Sequence, residues 1–179
     1  MRSRLAAIVA TIAISAMSPV PTFADSQSET LPVFTEIQRS VTYDAYSTIF
    51  DNINVSIDAT GVITLTGSVT NPFKKDHIED GVNDVDGVLA INNQVEVLPV
   101  SRFDNRLRYQ IARAIYGHPS LNQYIRTRPS IHIIVKRGHV TLVGVVNNKN
   151  DATIALMQAR QGGAFSVTNE LKTSLKSNS

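Results

Sequence analysis

Four histidines are the first place to look for chemistry, and their spacing offers little. His77, His118, His132 and His139 contain no pair at i+2, i+3 or i+4, and no HExxH helix or aspartate-rich calcium loop accompanies them. A zinc site would need ligands gathered from distant segments. His132 stands between Ile131 and Ile133, which puts it on the strand face opposite the apolar one and predicts an exposed side chain. Serines are plentiful, yet there is no G-x-S-x-G elbow, phosphate loop or dinucleotide glycine motif. Cysteine is absent, which removes thiol nucleophiles, thiolate metal sites and disulfides. Asp76, Glu79, Asp80, Asp84 and Asp86 gather on one helical stretch. Paired carboxylates can do acid–base work or hold Ca²⁺, but without a partner motif they read as a solvated helix face. The chemistry points to a chain with no catalytic activity, metal or cofactor.

Binding is better represented. Between residues 102 and 116, Leu107, Ile111, Ala114 and Ile115 share one sector of a helix, the sector that would cover a sheet. Arg102, Arg106, Tyr109 and Arg113 recur at i, i+4, i+7 and i+11 on the other side. Three guanidinium groups and a phenol thus line one ridge. Guanidinium takes phosphate oxygens through two parallel hydrogen bonds, and tyrosine favours a membrane–water boundary. Arg126, Arg128, Lys136 and Arg137 are expected to extend the same patch. At about 1 kcal/mol per basic residue near an anionic membrane, three to six residues imply dissociation constants from several millimolar down to tens of micromolar. Such contact is peripheral and reversible.

The elements that must position these residues occur twice. Gly61 to Val69 (GVITLTGSV) returns as Gly138 to Val146 (GHVTLVGVV), 77 residues later. Upstream, Ile53 to Ile57 answers Ile131 to Val135; downstream, Gly87 to Val95 (GVLAINNQV) answers Gly163 to Leu171 (GAFSVTNEL). Each copy reads as helix, hairpin, helix, strand. In the first copy the segments are Thr35 to Phe50, Ile53 to Val69 with a turn at Asp58 to Gly61, Lys74 to Val85, and Val88 to Leu98. In the second, helices over Arg102 to Tyr116 and Asp151 to Gln161 flank the hairpin, and Gly117 to Ser130 is an insertion without counterpart. Gly61 and Gly138 suit turns that need positive φ. Gly67 and Gly144, inside strands, mark a bulge or a close approach such as a crossing helix. The expected fold class is α+β: two tandem α-β-β-α-β domains, each a three-stranded mixed sheet covered by two helices. Their boundaries are expected at 25–99 and 100–175, and domains this small lean on one another.

The ends and the charge carry further information. Arg2 and Arg4 precede an apolar run from Leu5 to Met17, and small residues follow around Thr22 to Ala24. This is the layout of a cleaved secretory signal peptide over residues 1–24, with an apolar run too short to span a bilayer. Export removes nucleic acid as a partner. The next twenty to thirty residues are expected to be partly disordered. The net charge of +2 conceals a division. Residues 25–100 hold three Lys or Arg against twelve Asp or Glu, a balance of −9; residues 101–179 hold twelve against three, a balance of +9. Two duplicates so different in charge suggest different partners.

The hairpin block, with Gly61, Val62, Leu65, Gly67 and Val69, and the closing block, with Gly87, Val88, Asn93 and Val95, together resemble the BON-domain family. The second copy matches at Gly138, Val140, Leu142, Gly144, Val146, Gly163, Val167, Asn169 and Leu171. The order of blocks is most similar to exported proteins with two tandem BON domains, the osmotically inducible type. That resemblance implies a non-enzymatic periplasmic protein of envelope maintenance or osmotic stress that binds phospholipid or other envelope components. The expected partner is an anionic phospholipid surface, contacted through the second copy. The alternative is a protein-interaction or chaperone-like module whose acidic and basic domains serve envelope proteins or self-association.

Overall fold

In the computed structural model, residues 25–125 and 129–174 are described, with side chains from residue 32 onward. The signal-peptide reading of residues 1–24, and Arg126 and Arg128, lie outside the described residues. Helix α1 (Asp25–Thr42) precedes a hairpin of β1 (Asn52–Ile57) and β2 (Val62–Val69), then α2 (Pro72–Asn83), β3 (Ala90–Asn93) and β4 (Glu96–Val97). The second half repeats the order with α3 (Arg102–Tyr116), a 3-10 turn at Asn122–Ile125, β5 (Ile131–Lys136), β6 (His139–Val146), α4 (Lys149–Arg160) and β7 (Ser166–Thr173). Each sheet is mixed. The hairpin pairs antiparallel, and β2 and β6 form their other edge with parallel partners, β3 and β4 in one half and β7 in the other. The fold is α+β with two BON-like units in tandem.

Local chemistry explains the boundaries. Asn71 caps α2 by accepting from the Phe73 N–H at 3.0 Å, with Pro72 opening the helix where its missing donor costs nothing. Ser101 caps α3 through the Asp104 N–H, and Asn148 caps α4 through the Asp151 N–H. The first hairpin turns on Asp58, whose Oδ1 accepts from the N–H groups of Thr60 and Val62 and from the Thr60 hydroxyl, with Gly61 at φ 84°. Those bonds, the Thr60 hydroxyl foremost, hold the Asp58 carboxyl below its usual range. The second hairpin is one residue tighter. Arg137 (φ 51°) and Gly138 (φ 80°) are both left-handed, and the Asp104 carboxylate receives their two N–H groups at 2.9 and 2.8 Å.

The strand glycines answer a close backbone approach, and the backbone that approaches is the partner strand's. A Cβ on Gly67 would lie 2.0 Å from the Asn52 carbonyl oxygen, and one on Gly144 would lie 2.0 Å from that of Ser130. The intruder is the carbonyl at the start of the partner strand, facing glycines at φ 117° and 123°. The family-motif asparagines are also structural. The Asn93 amide donates to the Lys75 carbonyl and Glu79, and its oxygen takes the Val95 N–H. Asn169 repeats this with the Ala152 carbonyl and the Leu171 N–H. In the first half the expected Val88 to Leu98 strand is interrupted at Gln94 and Val95 and forms β3 and β4, whereas β7 continues through the equivalent Asn169.

The opening helix is shifted from expectation. It begins at Asp25 rather than Thr35, within the segment expected to be partly disordered, and ends at Thr42 rather than Phe50. Val33, Ile37 and Val41 recur every four residues and pack on the first core, which selects this register. Residues 43–51 leave the helix because their contacts lie elsewhere. Ile49 and Phe50 pack against the core of the second half, formed by residues such as Leu107, Ile111, Ile133 and Leu142. The Ile133 N–H donates to the Ile49 carbonyl at 2.7 Å, so the loop caps part of the free edge of β5.

Gly144→Ala should therefore cost about 2–4 kcal/mol and lower Tm by roughly 5–15 °C. Gly163→Ala, also at positive φ (80°) but with nothing within 4 Å of the added Cβ, should cost about 1 kcal/mol. Thermal unfolding of the two variants checks whether collision, beyond φ, sets the requirement.

Candidate functional site

The α3 ridge forms as its periodicity predicts. Leu107, Ile111 and Ile115 are buried against β5, and Ala114 is half-buried. Arg102, Arg106, Tyr109 and Arg113 are exposed, Tyr109 to 66%. The Arg137 backbone is held at one end of this surface by Asp104, on the first turn of α3, and the residue also borders a cleft with Ile134, Lys136 and Ser68. Beside it, Phe103 and Phe165 stack with ring centroids 5.5 Å apart, and His139 meets Phe165 edge-on while its Nδ1 lies 2.8 Å from the Ser166 hydroxyl. Phe165, 72% exposed, covers Gly138 so closely that a Cβ there would collide with its ring. This end of the second domain presents aromatic surface rimmed by guanidinium groups.

Lys136 is not part of that surface. Strand β5 alternates, with Ile131, Ile133 and Val135 facing α3, so Lys136 points from the opposite face and pairs with Glu96 of the first half at 2.6 Å. His132 also departs from expectation. It does lie opposite the apolar face, but it is half-buried, because residues 41–53 of the first half and Pro129 enclose an open cleft of about 590 Å³ in front of it.

Two residues that pattern reasoning passed over support the ridge. Arg108 is 4% exposed, donates to the Val135 carbonyl at 2.7 Å and to Asn105 Oδ1 at 2.5 Å, and fastens α3 to β5. Burial lowers its pKa against the opposing pull of Asp104 and Asp51, though a guanidinium remains charged. An arginine midway between the apolar and exposed sectors was the available signal. Phe50 of the first half packs edge-on against Tyr109, centroids 5.3 Å apart. Nothing local to Phe50 announces that contact.

Behind Phe50 lies a polar clamp. Asp51, 2% exposed, accepts from the Thr48 N–H and hydroxyl, the Thr70 N–H and hydroxyl, and the Lys74 ammonium at 2.5 Å. Burial works to raise its pKa, but the bonds from Lys74, Thr48 and Thr70 outweigh it and hold the carboxyl below the ordinary value of 3.8. The second half closes the same corner differently. Tyr124, from the insertion, donates to Asp151 on α4 and accepts from the Asn147 N–H. Burial, and then the Asp151 bond, push this phenol up. Burial likewise raises Tyr116, whose hydroxyl donates to the Ile131 carbonyl.

The acidic cluster of the first half is divided. Glu79 is engaged by Asn93, while Asp76, Asp80 and Asp84 stand exposed along α2 and its C-terminal cap. Among the described residues no group of three or more His, Asp or Glu side chains is placed to hold a metal ion, and no helix is long and apolar enough to cross a membrane.

The BON domain model matches the chain twice, over residues 35–99 and 104–174. The chain belongs to the BON-domain family. BON domains are associated with envelope proteins and with phospholipid binding. No curated protein matches this BON chain. Among solved structures, it is similar to CdsD, a structural protein of the type III secretion system of Chlamydia trachomatis, at 12% identity and a TM-score of 0.31, covering 80% of this chain and 93% of that one. The C-terminal domain of CdsD aligns at 12% identity and a TM-score of 0.27, over 87% of this chain and all of that one.

Asp51 generates a pH prediction. A carboxyl whose folded pKa is depressed stabilises the fold above its unfolded value and loses that contribution as pH falls through the folded one. Stability should therefore decline as pH drops below about 3.8. Asp51→Asn should cost roughly 3–5 kcal/mol at pH 7 by leaving Lys74 unpaired, and should flatten that acid decline. Urea unfolding across pH 2.5–7 reads both effects.

Proposed function

We propose that this BON protein is a non-enzymatic, periplasmic protein of envelope maintenance or osmotic stress that binds anionic phospholipid peripherally through its second domain. The observation that carries the reading is the α3 ridge: three exposed guanidinium groups and an exposed phenol on a half with a balance of +9. Guanidinium supplies forked donors for phosphate. The stacked Phe103–Phe165 pair offers apolar area beside them, which suits the interfacial region of a bilayer. Arg137 adds a fourth cation, whereas Lys136 is committed to Glu96. Four cations at about 1 kcal/mol each give a dissociation constant near 1 mM, tightened by whatever aromatic area is buried. The non-enzymatic reading rests on the sequence, which has no cysteine, no G-x-S-x-G elbow and no HExxH helix.

Vesicle co-sedimentation tests this. The mature chain should pellet with phosphatidylglycerol or cardiolipin vesicles and not with phosphatidylcholine. Binding should fade as salt shortens the Debye length from about 10 Å at 0.1 M to about 3 Å at 1 M. Arg102→Glu, Arg106→Glu and Arg113→Glu together should abolish binding with little change in Tm, because none of the three faces the core. Undiminished low-salt binding by that triple variant would refute the assignment.

A further inference from the structure

Helix α2 carries a surface that is the counterpart of the α3 ridge in both spacing and charge. Phe73, His77, Asp80 and Asp84 fall at i, i+4, i+7 and i+11, the same intervals as the α3 ridge, with Asp76 beside them. Phe73 is 52% exposed, the three aspartates are exposed, and Glu79 alone of the acids along α2 turns inward, to Asn93. Tyr46, itself half exposed, stands edge-on to Phe73 at 5.1 Å and to His77 at 4.8 Å, and the Phe73 and His77 rings stack at 5.6 Å. An aromatic-and-acidic ridge thus sits on the half with a balance of −9, and an aromatic-and-basic ridge on the half with a balance of +9.

We infer that the α2 ridge of one copy docks antiparallel on the α3 ridge of a second copy, giving a head-to-tail assembly. Antiparallel facing pairs residues whose numbers have a constant sum, and one register satisfies all four positions. Asp84 meets Arg102, Asp80 meets Arg106, His77 meets Tyr109, and Phe73 meets Arg113. The outcome is two ion pairs, one ring–ring contact and one cation–π contact. Antiparallel helix dipoles add a favourable term. A parallel arrangement is poorer: the register that aligns all four positions sets Phe73 on Arg102, His77 on Arg106, Asp80 on Tyr109 and Asp84 on Arg113, with one ion pair instead of two and no ring–ring contact. The two ion pairs lie at one end of the contact and the two aromatic pairs at the other. A lipid surface cannot substitute on the acidic side, since α2 would repel anionic headgroups. Each copy carries one ridge of each kind, so the contact is heterologous and propagates into open chains unless a ring closes. It also occupies the ridge assigned to phospholipid, which makes vesicle binding and assembly compete.

The cysteine-free chain allows a direct test of register. Mature His77→Cys and Tyr109→Cys proteins, mixed under mild oxidation at low salt, should give mainly the mixed disulfide dimer, at least tenfold over the yield at 1 M salt. Asp80→Cys with Tyr109→Cys reports the parallel register and should give little. Sedimentation equilibrium supplies a second measurement. Asp80→Lys with Asp84→Lys, and separately Arg102→Glu with Arg106→Glu, should each weaken self-association tenfold or more. A mixture of these two charge-reversed proteins should restore association to near the wild-type constant. The Asp80→Lys, Asp84→Lys protein should still bind anionic vesicles, which separates failure of this contact from failure of the lipid reading. Three results would overturn the inference: a wild-type chain monomeric at millimolar concentration and low salt, a mixture that fails to associate, or a disulfide formed predominantly between the Asp80→Cys and Tyr109→Cys proteins.

Discussion

The five hydrogen bonds converging on Asp51 are the constraint on which the rest of the arrangement depends. A buried carboxylate is costly unless its lone pairs are filled. Here they are filled from three places: the loop itself at Thr48, the end of β2 at Thr70, and the first turn of α2 at Lys74. Satisfying one charge therefore fixes the exit of α1, the corner of the first sheet and the start of α2 together. It also aims the two preceding residues outward. Ile49 and Phe50 leave the first half and complete the packing of the second, where Ile49 closes an edge bond of β5 and Phe50 backs Tyr109.

The duplication makes the asymmetry between the halves legible. At the corner where Asp51 meets Lys74, the second copy places Tyr124 against Asp151, so the acid has moved from the loop to the helix. The insertion between α3 and β5 supplies that tyrosine and buries Leu121 with it. The first half lacks such an insertion, and its loop is free to reach across. The copies are thus joined as donor and acceptor of one loop, while their outer helix faces have diverged to opposite charge. A common frame and divergent faces are what a protein needs to meet two different surfaces without changing its fold.

Local and periodic features were open to reading from the chain alone. The bounds of α3 follow from Ser101, from the apolar spacing of Leu107, Ile111 and Ile115, and from Gly117. The exposure of Arg102, Arg106, Tyr109 and Arg113 follows from the same 3.6-residue period. Turn glycines, the pairing of hairpins and the existence of two like units are consequences of short-range sterics and of the repeat, so sequence by itself determined them. The family resemblance rests on those same residues.

Tertiary structure decided whatever depends on partners far along the chain. Thr35 to Phe50 reads equally well as one helix, and only the pull of Asp51 on Thr70 and Lys74, with the second core drawing in Ile49 and Phe50, ends α1 at Thr42. Lys136 lies beside Arg137 in sequence, yet the pleat of β5 sends it to the other face and to Glu96. His132 alternates outward as expected, but a loop from the other half covers it. Arg108 differs from the ridge arginines in sequence only by its angle around the helix, and it is a buried strut to the Val135 carbonyl. In each case the deciding energy is a non-local burial or hydrogen bond, which outweighs a local preference worth a fraction of a kcal/mol per residue.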